Sequence, residues 1–199
     1  VLSMKAVSGK PGDETPMLAS AMHSVVLNPP WNVPTRFANE ELWPKERANP
    51  GYLKRNGFRV LEGGRLQQAS ERSALGKYKF DFQNDFAVFL HDTPAQAGFS
   101  RYGRLESHGC VRLEKPADLA KLLAKTTPEW TPEQIDQTVA AGKTVRARLA
   151  DPVAVYLLYW TAFGGANGQV GFRDDPYSWD ATLASKVEAR SAKQTLAAK

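Results

Sequence analysis

Two of the three histidines and the only cysteine of this 199-residue chain fall in one stretch, from His91-Asp92-Thr93-Pro94 to Ser107-His108-Gly109-Cys110-Val111-Arg112. A thiol becomes a strong nucleophile near neutral pH when an imidazole takes its proton or stabilises the thiolate. The imidazole in turn needs an acceptor to orient it, for which a backbone carbonyl suffices. Gly109, just before the cysteine, permits a backbone conformation that aims consecutive N–H groups into a concavity where an oxyanion would be held. His108, Gly109 and Cys110 are the natural contributors. Arg112 lies two residues past the cysteine; on an extended segment it shares a face with Cys110 and could pair with a substrate carboxylate. Spacing does not fix which histidine is the base. His108 could point the same way as Cys110, whereas His91 ends an apolar strand and has the stiffer mount, so chemistry slightly prefers His91.

The blander readings have less support. A lone cysteine is often a small buried core residue, but Ser-His-Gly before it and Val-Arg after it disfavour that. A zinc site from His91, His108 and Cys110 would need Asp92 as fourth ligand, and no paired Cys-x-x-Cys or His-x-x-x-His spacing supports it. His23, alternating with Val25 at a strand start, reads as structural.

Behind these residues stands a chain of 26 Lys and Arg against 21 Asp and Glu, net +5, with 42% hydrophobic residues. It is long enough for one domain with a sizeable core. Thirteen Pro and fifteen Gly along the length favour many short elements and a β-rich fold over a helix bundle. The basic excess suits an anionic partner, yet the cations are dispersed, so a nucleic-acid partner is not expected. No apolar stretch reaches the length of a membrane span; Val153 to Phe163 reads as a buried strand instead. No signal peptide is visible, and because Val1 is not a natural start residue, any targeting or membrane segment is expected upstream. One cysteine allows no internal disulfide.

The start reads as a hairpin, Met4 to Val7 returning at Pro16 to Ala19 around Gly9-Lys10-Pro11-Gly12. A strand at His23 to Leu27 runs into Asn28-Pro29-Pro30-Trp31-Asn32-Val33-Pro34, where the prolines are expected to forbid both helix and ladder pairing. Residues 36–72 are more polar, with short helical stretches such as Pro50 to Asn56 stopped by Gly57, and look like an insertion or flap. Strands resume at Lys77 to Phe82, which alternates, and at Phe86 to Leu90, continuously apolar and so expected to be central. A helix over Ala117 to Lys125 carries Leu119, Leu122 and Leu123 on one face. Another opens with the capping box Thr131-Pro132-Glu133-Gln134 and stops at Gly142. Two strands, Thr144 to Leu149 and Val153 to Trp160, are expected around a turn at Asp151-Pro152. A last strand spans Gln169 to Arg173, and residues 181–199 read as a frayed helix or disordered tail.

His91, fifteen intervening residues and then Ser107-His108-Gly109-Cys110 resemble the signature of the YkuD-type L,D-transpeptidases. Asn28 to Pro34, Pro50 to Leu53 with Asn56-Gly57-Phe58, Leu90 to Pro94 and Phe172 to Asp175 resemble the larger YcbB-like branch. The resemblance covers roughly Met4 to Asp180. It implies a mainly β fold with a few short helices (α+β), a YkuD-like β-sandwich catalytic domain over residues 1–180, and residues 36–72 as a flap or capping insertion over the groove. It further implies that Cys110 is the acylated nucleophile, His91 the general base and the Asp92 backbone carbonyl its orienting acceptor. Ser107 and His108 would shape the pocket, and the amides of His108, Gly109 and Cys110 would form the oxyanion hole. Arg112, where many members carry Asn, would contact a substrate carboxylate, with Trp31 and Asn32 also substrate-binding. The implied partners are peptidoglycan stem peptides and carbapenem inhibitors, with no metal or organic cofactor, and the implied location is the periplasm or cell envelope. Competing readings are an L,D-carboxypeptidase, a cysteine hydrolase of the NlpC/P60 kind, whose cysteine precedes its histidine, and a catalytically idle cell-wall binding module.

Overall fold

A computed structural model describes residues 1–197. The chain divides into two compact units, one from Val1 to Tyr156 and one from Leu157 onward. Sheet dominates, with a few short helices. The first unit holds a seven-stranded mixed sheet, and its strands in chain order are β1 (Ala6–Gly9), β2 (Leu18–Leu27), β6 (Tyr78–Phe82), β7 (Leu90–His91), β8 (Leu105–Ser107), β9 (Val111–Leu113) and β10 (Val145–Leu157). In space their order is β10-β2-β6-β7-β9-β1-β8. The alternation in Tyr78 to Phe82 emerges as a strand with Tyr78, Phe80 and Phe82 buried. Strand β2 is buried almost continuously from Ser24 to Leu27, because helices cover it. Those helices are α4 (Pro116–Ala124), which packs on β6, and α5 (Pro132–Ala140), which packs on β2. In α5 the Thr131 and Gln134 side chains make the reciprocal capping box with each other's backbone N–H.

Between β2 and β6 lies a smaller sheet in the order β3 (Trp31–Asn32), β5 (Leu66–Gln68), β4 (Phe58–Val60). With it goes a helical run of α1 (Thr35–Phe37), a π turn over Ala38–Leu42 and α2 (Trp43–Ala48), followed by α3 (Tyr52–Arg55). Val33, Ala38, Leu42, Leu53 and Leu66 make a cluster of their own, packed by Trp31, Phe37, Trp43, Tyr52 and Phe58. Gly57 ends α3 at φ +77°, the left-handed conformation that glycine tolerates.

Several elements differ from expectation. Strands β1 and β2 form no hairpin: β1 pairs parallel to β8 and antiparallel to β9, while β2 pairs with β6. The intervening loop folds back on β1 so closely that a Cβ at Gly9 would lie 2.1 Å from the Asp13 carbonyl oxygen. Trp31 and Asn32 do enter a ladder, with Gln68 and Gln67, since both keep their N–H between the prolines. Of the apolar run Phe86 to Leu90 only Leu90 is strand; Ala87 adopts φ +53° and Phe86 is 61% exposed. The Asn84 side chain holds this turn, accepting from the Phe86 and Val88 amides and donating to the Val88 carbonyl. Asp151-Pro152 does not turn the chain. Strand β10 runs straight through it, and a proline is tolerated there because β10 is an edge strand. The stretch from Val153 is not a buried strand either, with Tyr156 66% and Trp160 70% exposed. On α4, Leu123 is buried with Ala120 and Ala124, whereas Leu122 faces solvent.

The second unit contains the hairpin β11 (Ala162–Gly164) and β12 (Val170–Phe172), then α6 (Asp180–Ala197). Asp175 accepts from the Tyr159 hydroxyl and from the Trp179 and Asp180 amides, holding Tyr159, Tyr177 and Trp179 in a mutual aromatic stack. Helix α6 occupies most of the stretch read as frayed or disordered, whose last two residues lie outside the described ones. Among the described residues no helix is long and apolar enough to cross a membrane.

Candidate active site

Register positions the chemistry. Strand β7 lies between β6, which it pairs antiparallel, and β9, which it pairs parallel. Lys79 opposes His91 in the first pairing and Arg112 opposes His91 in the second. Opposed residues in a sheet share a face, so an imidazole sits in a row between two cations. One step back along the strands, the Val111 amide donates to the Phe89 carbonyl at 3.1 Å, which brings Cys110 alongside Phe89. Cys110, His91, Arg112, Phe89, Ser107 and His108 all line one cavity of about 470 Å³.

His91 is 5% exposed, and burial pushes its pKa down from 6.5 to about 4, with the Arg112 and Lys79 charges adding to the effect. The ring is therefore neutral at neutral pH. Its Nδ1 hydrogen-bonds to the Asp92 carbonyl, and the Leu75 carbonyl is a second backbone acceptor beside it. Cys110 is partly exposed to the cavity. Burial raises its pKa, while the Phe89 amide and the charges of Lys79 and Arg112 act in the opposite direction by favouring the thiolate. Thiol and imidazole are thus both neutral at rest, and among the described residues no hydrogen bond joins Cys110 to His91 or His108. Arg112 is half-buried and, among the described residues, forms no ion pair; burial lowers its pKa, countered by Glu106 and by Cys110 in its ionised form.

The loop before Cys110 is braced from both sides. Ser107 is 2% exposed; its Oγ donates to the Cys110 carbonyl at 2.5 Å and accepts from the Gly109 amide at 3.2 Å. Thr15 accepts from the Gly9 amide and donates to the Gly109 carbonyl, both at 2.8 Å, tying the loop to the end of β1. Gly109 has φ +102°, and a Cβ there would meet nothing closer than 3.6 Å, so the backbone conformation rather than space calls for glycine. Because Ser107 occupies the Gly109 amide, that N–H is withdrawn from an oxyanion in this conformation. Among the described residues the Cys110 amide has no partner.

The facing wall comes from the smaller sheet and its helices. Trp31, Asn32, Arg36, Phe37, Glu40 and Glu41 line the cavity. Trp31 packs against Phe37 with ring centroids 5.3 Å apart, and Asn32 Oδ1 accepts from Gln67 at 2.8 Å. His108 leaves the sheet side and reaches this wall: its ring meets Phe37 edge-on at 4.9 Å, and Nε2 lies 3.3 Å from Glu41 Oε1. Asp13 bridges in the same direction to Arg36 at 3.0 Å.

Every residue singled out in the sequence except His23 is therefore at or beside this cavity; His23 is exposed at the bulge in β2. Asp92 contributes through its backbone, and Gly109 through loop geometry. Sequence reasoning missed Lys79, whose Nζ sits 4.3 Å over the Phe89 ring, and also Thr15, the Phe89 amide and the Leu75 carbonyl. The alternation of Lys79 between Tyr78 and Phe80 was a usable signal once β6 was paired with β7; Thr15 gave none. Among the described residues no three His, Cys, Asp or Glu side chains gather as a metal site.

Compared with known families, residues 1–145 match YkuD, described as the L,D-transpeptidase catalytic domain. A Haemophilus influenzae protein provisionally named L,D-transpeptidase is 34% identical over 200 residues, covering 90% of this chain. The chain spans 40% of that relative's length. A solved L,D-transpeptidase from Mycobacterium smegmatis aligns with 76% of this chain and 47% of its own, at 18% identity and a TM-score of 0.35, a likeness too distant to build on.

Proposed function

This chain belongs to the YkuD family of L,D-transpeptidase catalytic domains, and from that premise we propose that it cross-links peptidoglycan through a Cys110 thioester. The single observation that carries the reading is the shared cavity lined by Cys110, a neutral His91 and Arg112, which forms no ion pair among the described residues. Cys110 loses its proton to His91 as sulfur attacks the carbonyl at the L-centre of a tetrapeptide stem. The C–S bond forms, the C–N bond to the terminal D-Ala breaks, and the proton held by His91 passes to the departing amine. A diaminopimelate amine of a second stem then attacks the thioester, giving a 3→3 cross-link and regenerating the thiol. The Cys110 amide would hold the oxyanion. Arg112 would take the substrate carboxylate, against Trp31 and Asn32 on the facing wall. His108 would shape the pocket from the other side, and Ser107 would hold the loop.

The Asp92 carbonyl accepting from His91 Nδ1 supports His91 as the base over His108, whose Nε2 is turned toward Glu41. The residue pattern of the YcbB-like branch, a catalytic domain extending to residue 180, residues 36–72 acting as a capping flap, acylation by carbapenems and a location in the cell envelope belong to the same proposal. Water in place of the amine would make the site an L,D-carboxypeptidase. The test is incubation with a disaccharide-tetrapeptide and mass analysis of the products. Release of D-Ala with a dimer linked through two diaminopimelates supports transpeptidation, and release without the dimer supports trimming. No release by folded protein would leave an idle binding module.

A further inference from the structure

The Asp92 peptide, whose carbonyl meets His91, is itself held by the Asp92 side chain. Oδ2 accepts from the Lys77 amide at 2.7 Å and Oδ1 accepts from the Thr93 amide at 2.6 Å. The Asp92 amide donates to the Tyr78 carbonyl at 2.8 Å. One carboxylate thus joins the start of β6 to the end of β7, the strand that carries His91. Gly76 makes room for it: a Cβ at that position, where φ is +63°, would lie 2.3 Å from Oδ2 and 2.4 Å from Cγ. That approach is closer than any side chain permits. On the far side Thr93, 3% exposed, continues the restraint by accepting at Oγ1 from the Ala95 amide, while its carbonyl accepts from Gln96 Nε2 at 2.6 Å.

A carbonyl only accepts, so its bond to Nδ1 requires the hydrogen to sit on Nδ1 and leaves the lone pair on Nε2. The Leu75 carbonyl competes for the same ring. Which carbonyl holds the ring hydrogen decides which ring nitrogen keeps the lone pair.

We propose that the Asp92 carboxylate is a positioning group for catalysis, clamping the peptide whose carbonyl selects the Nδ1–H tautomer of His91, with Gly76 as the glycine that lets it approach. This rests on the reading of His91 as the base. The carboxylate touches no substrate; it acts through the imidazole. An amide is a poor replacement because both oxygens accept from backbone N–H groups, and an Asn would set an NH2 against one of them.

The tautomer is read directly from the imidazole nitrogen shifts of the free protein. The wild type should show Nδ1–H at His91, and Asp92→Asn should show a mixture or Nε2–H. The maximal rate of Cys110 acylation by a carbapenem should fall 10- to 100-fold in Asp92→Asn, in the range typical of groups that orient a functional side chain from behind, with the affinity of the initial complex unchanged. Gly76→Ala, which displaces the carboxylate but keeps it, should move both readouts the same way. An Nε2–H ring in the wild type overturns the proposal, as does an Asp92→Asn protein with wild-type tautomer and rate. Because the tautomer needs no substrate, a wild type that forms no adduct while holding Nδ1–H would count against the proposed function and not against the clamp.

Discussion

His91 and Arg112 are register partners in the parallel pairing of β7 with β9, so a guanidinium that forms no ion pair among the described residues stands beside a neutral imidazole. The sheet fixes this neighbourhood, since neither residue can leave it without slipping a strand. An anionic substrate would supply the charge that Arg112 lacks and would also relieve the opposition to a proton on His91.

Replacing Arg112 by Gln should therefore weaken handling of the carboxylate-bearing donor far more than it weakens the fold. Loss of one charge-assisted hydrogen bond corresponds to about 1.5–3 kcal/mol, or a fall in kcat/KM of roughly 10- to 150-fold. Melting temperature should hold or rise, because a half-buried cation that forms no ion pair among the described residues is removed. Steady-state kinetics on a tetrapeptide donor, alongside thermal melting, check both halves.

Acid should destabilise the protein through His91. Its folded pKa of about 4 lies below the ordinary value of 6.5, so the unfolded chain binds the extra proton between those values. The contribution is fully present above pH 6.5, declines as pH falls through the window and is gone below about 4, a loss on the order of 3 kcal/mol. Urea unfolding from pH 7 to 4 measures it, and His91→Gln should flatten that part of the profile.

The brace behind Cys110 can be removed by one atom. Ser107→Ala leaves the Gly109 N–H and the Cys110 carbonyl without partners in a buried loop and should cost about 1–3 kcal/mol. Thr15→Val cuts the tether between Gly9 and Gly109 and should act in the same direction. Denaturant midpoints give the stability change. Acylation rates show whether the loop also loses its aim, and both variants should be slower than wild type.

At Gly109 the backbone decides. With φ +102° and open space around the missing Cβ, Gly109→Ala should cost about 1–3 kcal/mol through strain alone. Melting of this variant beside Gly12→Ala, which shares a positive φ but lies on the exposed turn, separates local strain from damage to acyl transfer. Only Gly109→Ala should lose activity.

The sequence carried the site further than it carried the topology. Cysteine, histidine and arginine types with glycine before the cysteine express chemistry locally, and capping at Thr131 or alternation in Tyr78 to Phe82 is likewise local. Strand pairing is not. Nothing in Met4 to Ala19 distinguishes a hairpin from two strands that part and pair with residues a hundred positions on, which is what β1 does with β9. Phe86 to Phe89 read as core because apolar side chains that line a cavity look the same in sequence as those that fill an interior. Pro152 read as a turn because edge strands, where proline is harmless, are known only once the sheet order is known. The bond from the Gly109 amide to Ser107 was not legible for a similar reason: a hydroxyl two residues back becomes an acceptor for that amide only in the folded loop.

The claim on which the rest depends is that Cys110 is the acylated nucleophile and His91 its base. Intact-mass spectrometry after exposure to a carbapenem tests it directly, with Cys110→Ala, His91→Ala and His108→Ala run alongside the wild type. The wild type should gain one inhibitor mass, Cys110→Ala none, and His91→Ala should react at least as slowly as His108→Ala. A folded wild type that gains no mass, or a His91→Ala protein that reacts normally while His108→Ala does not, would contradict it.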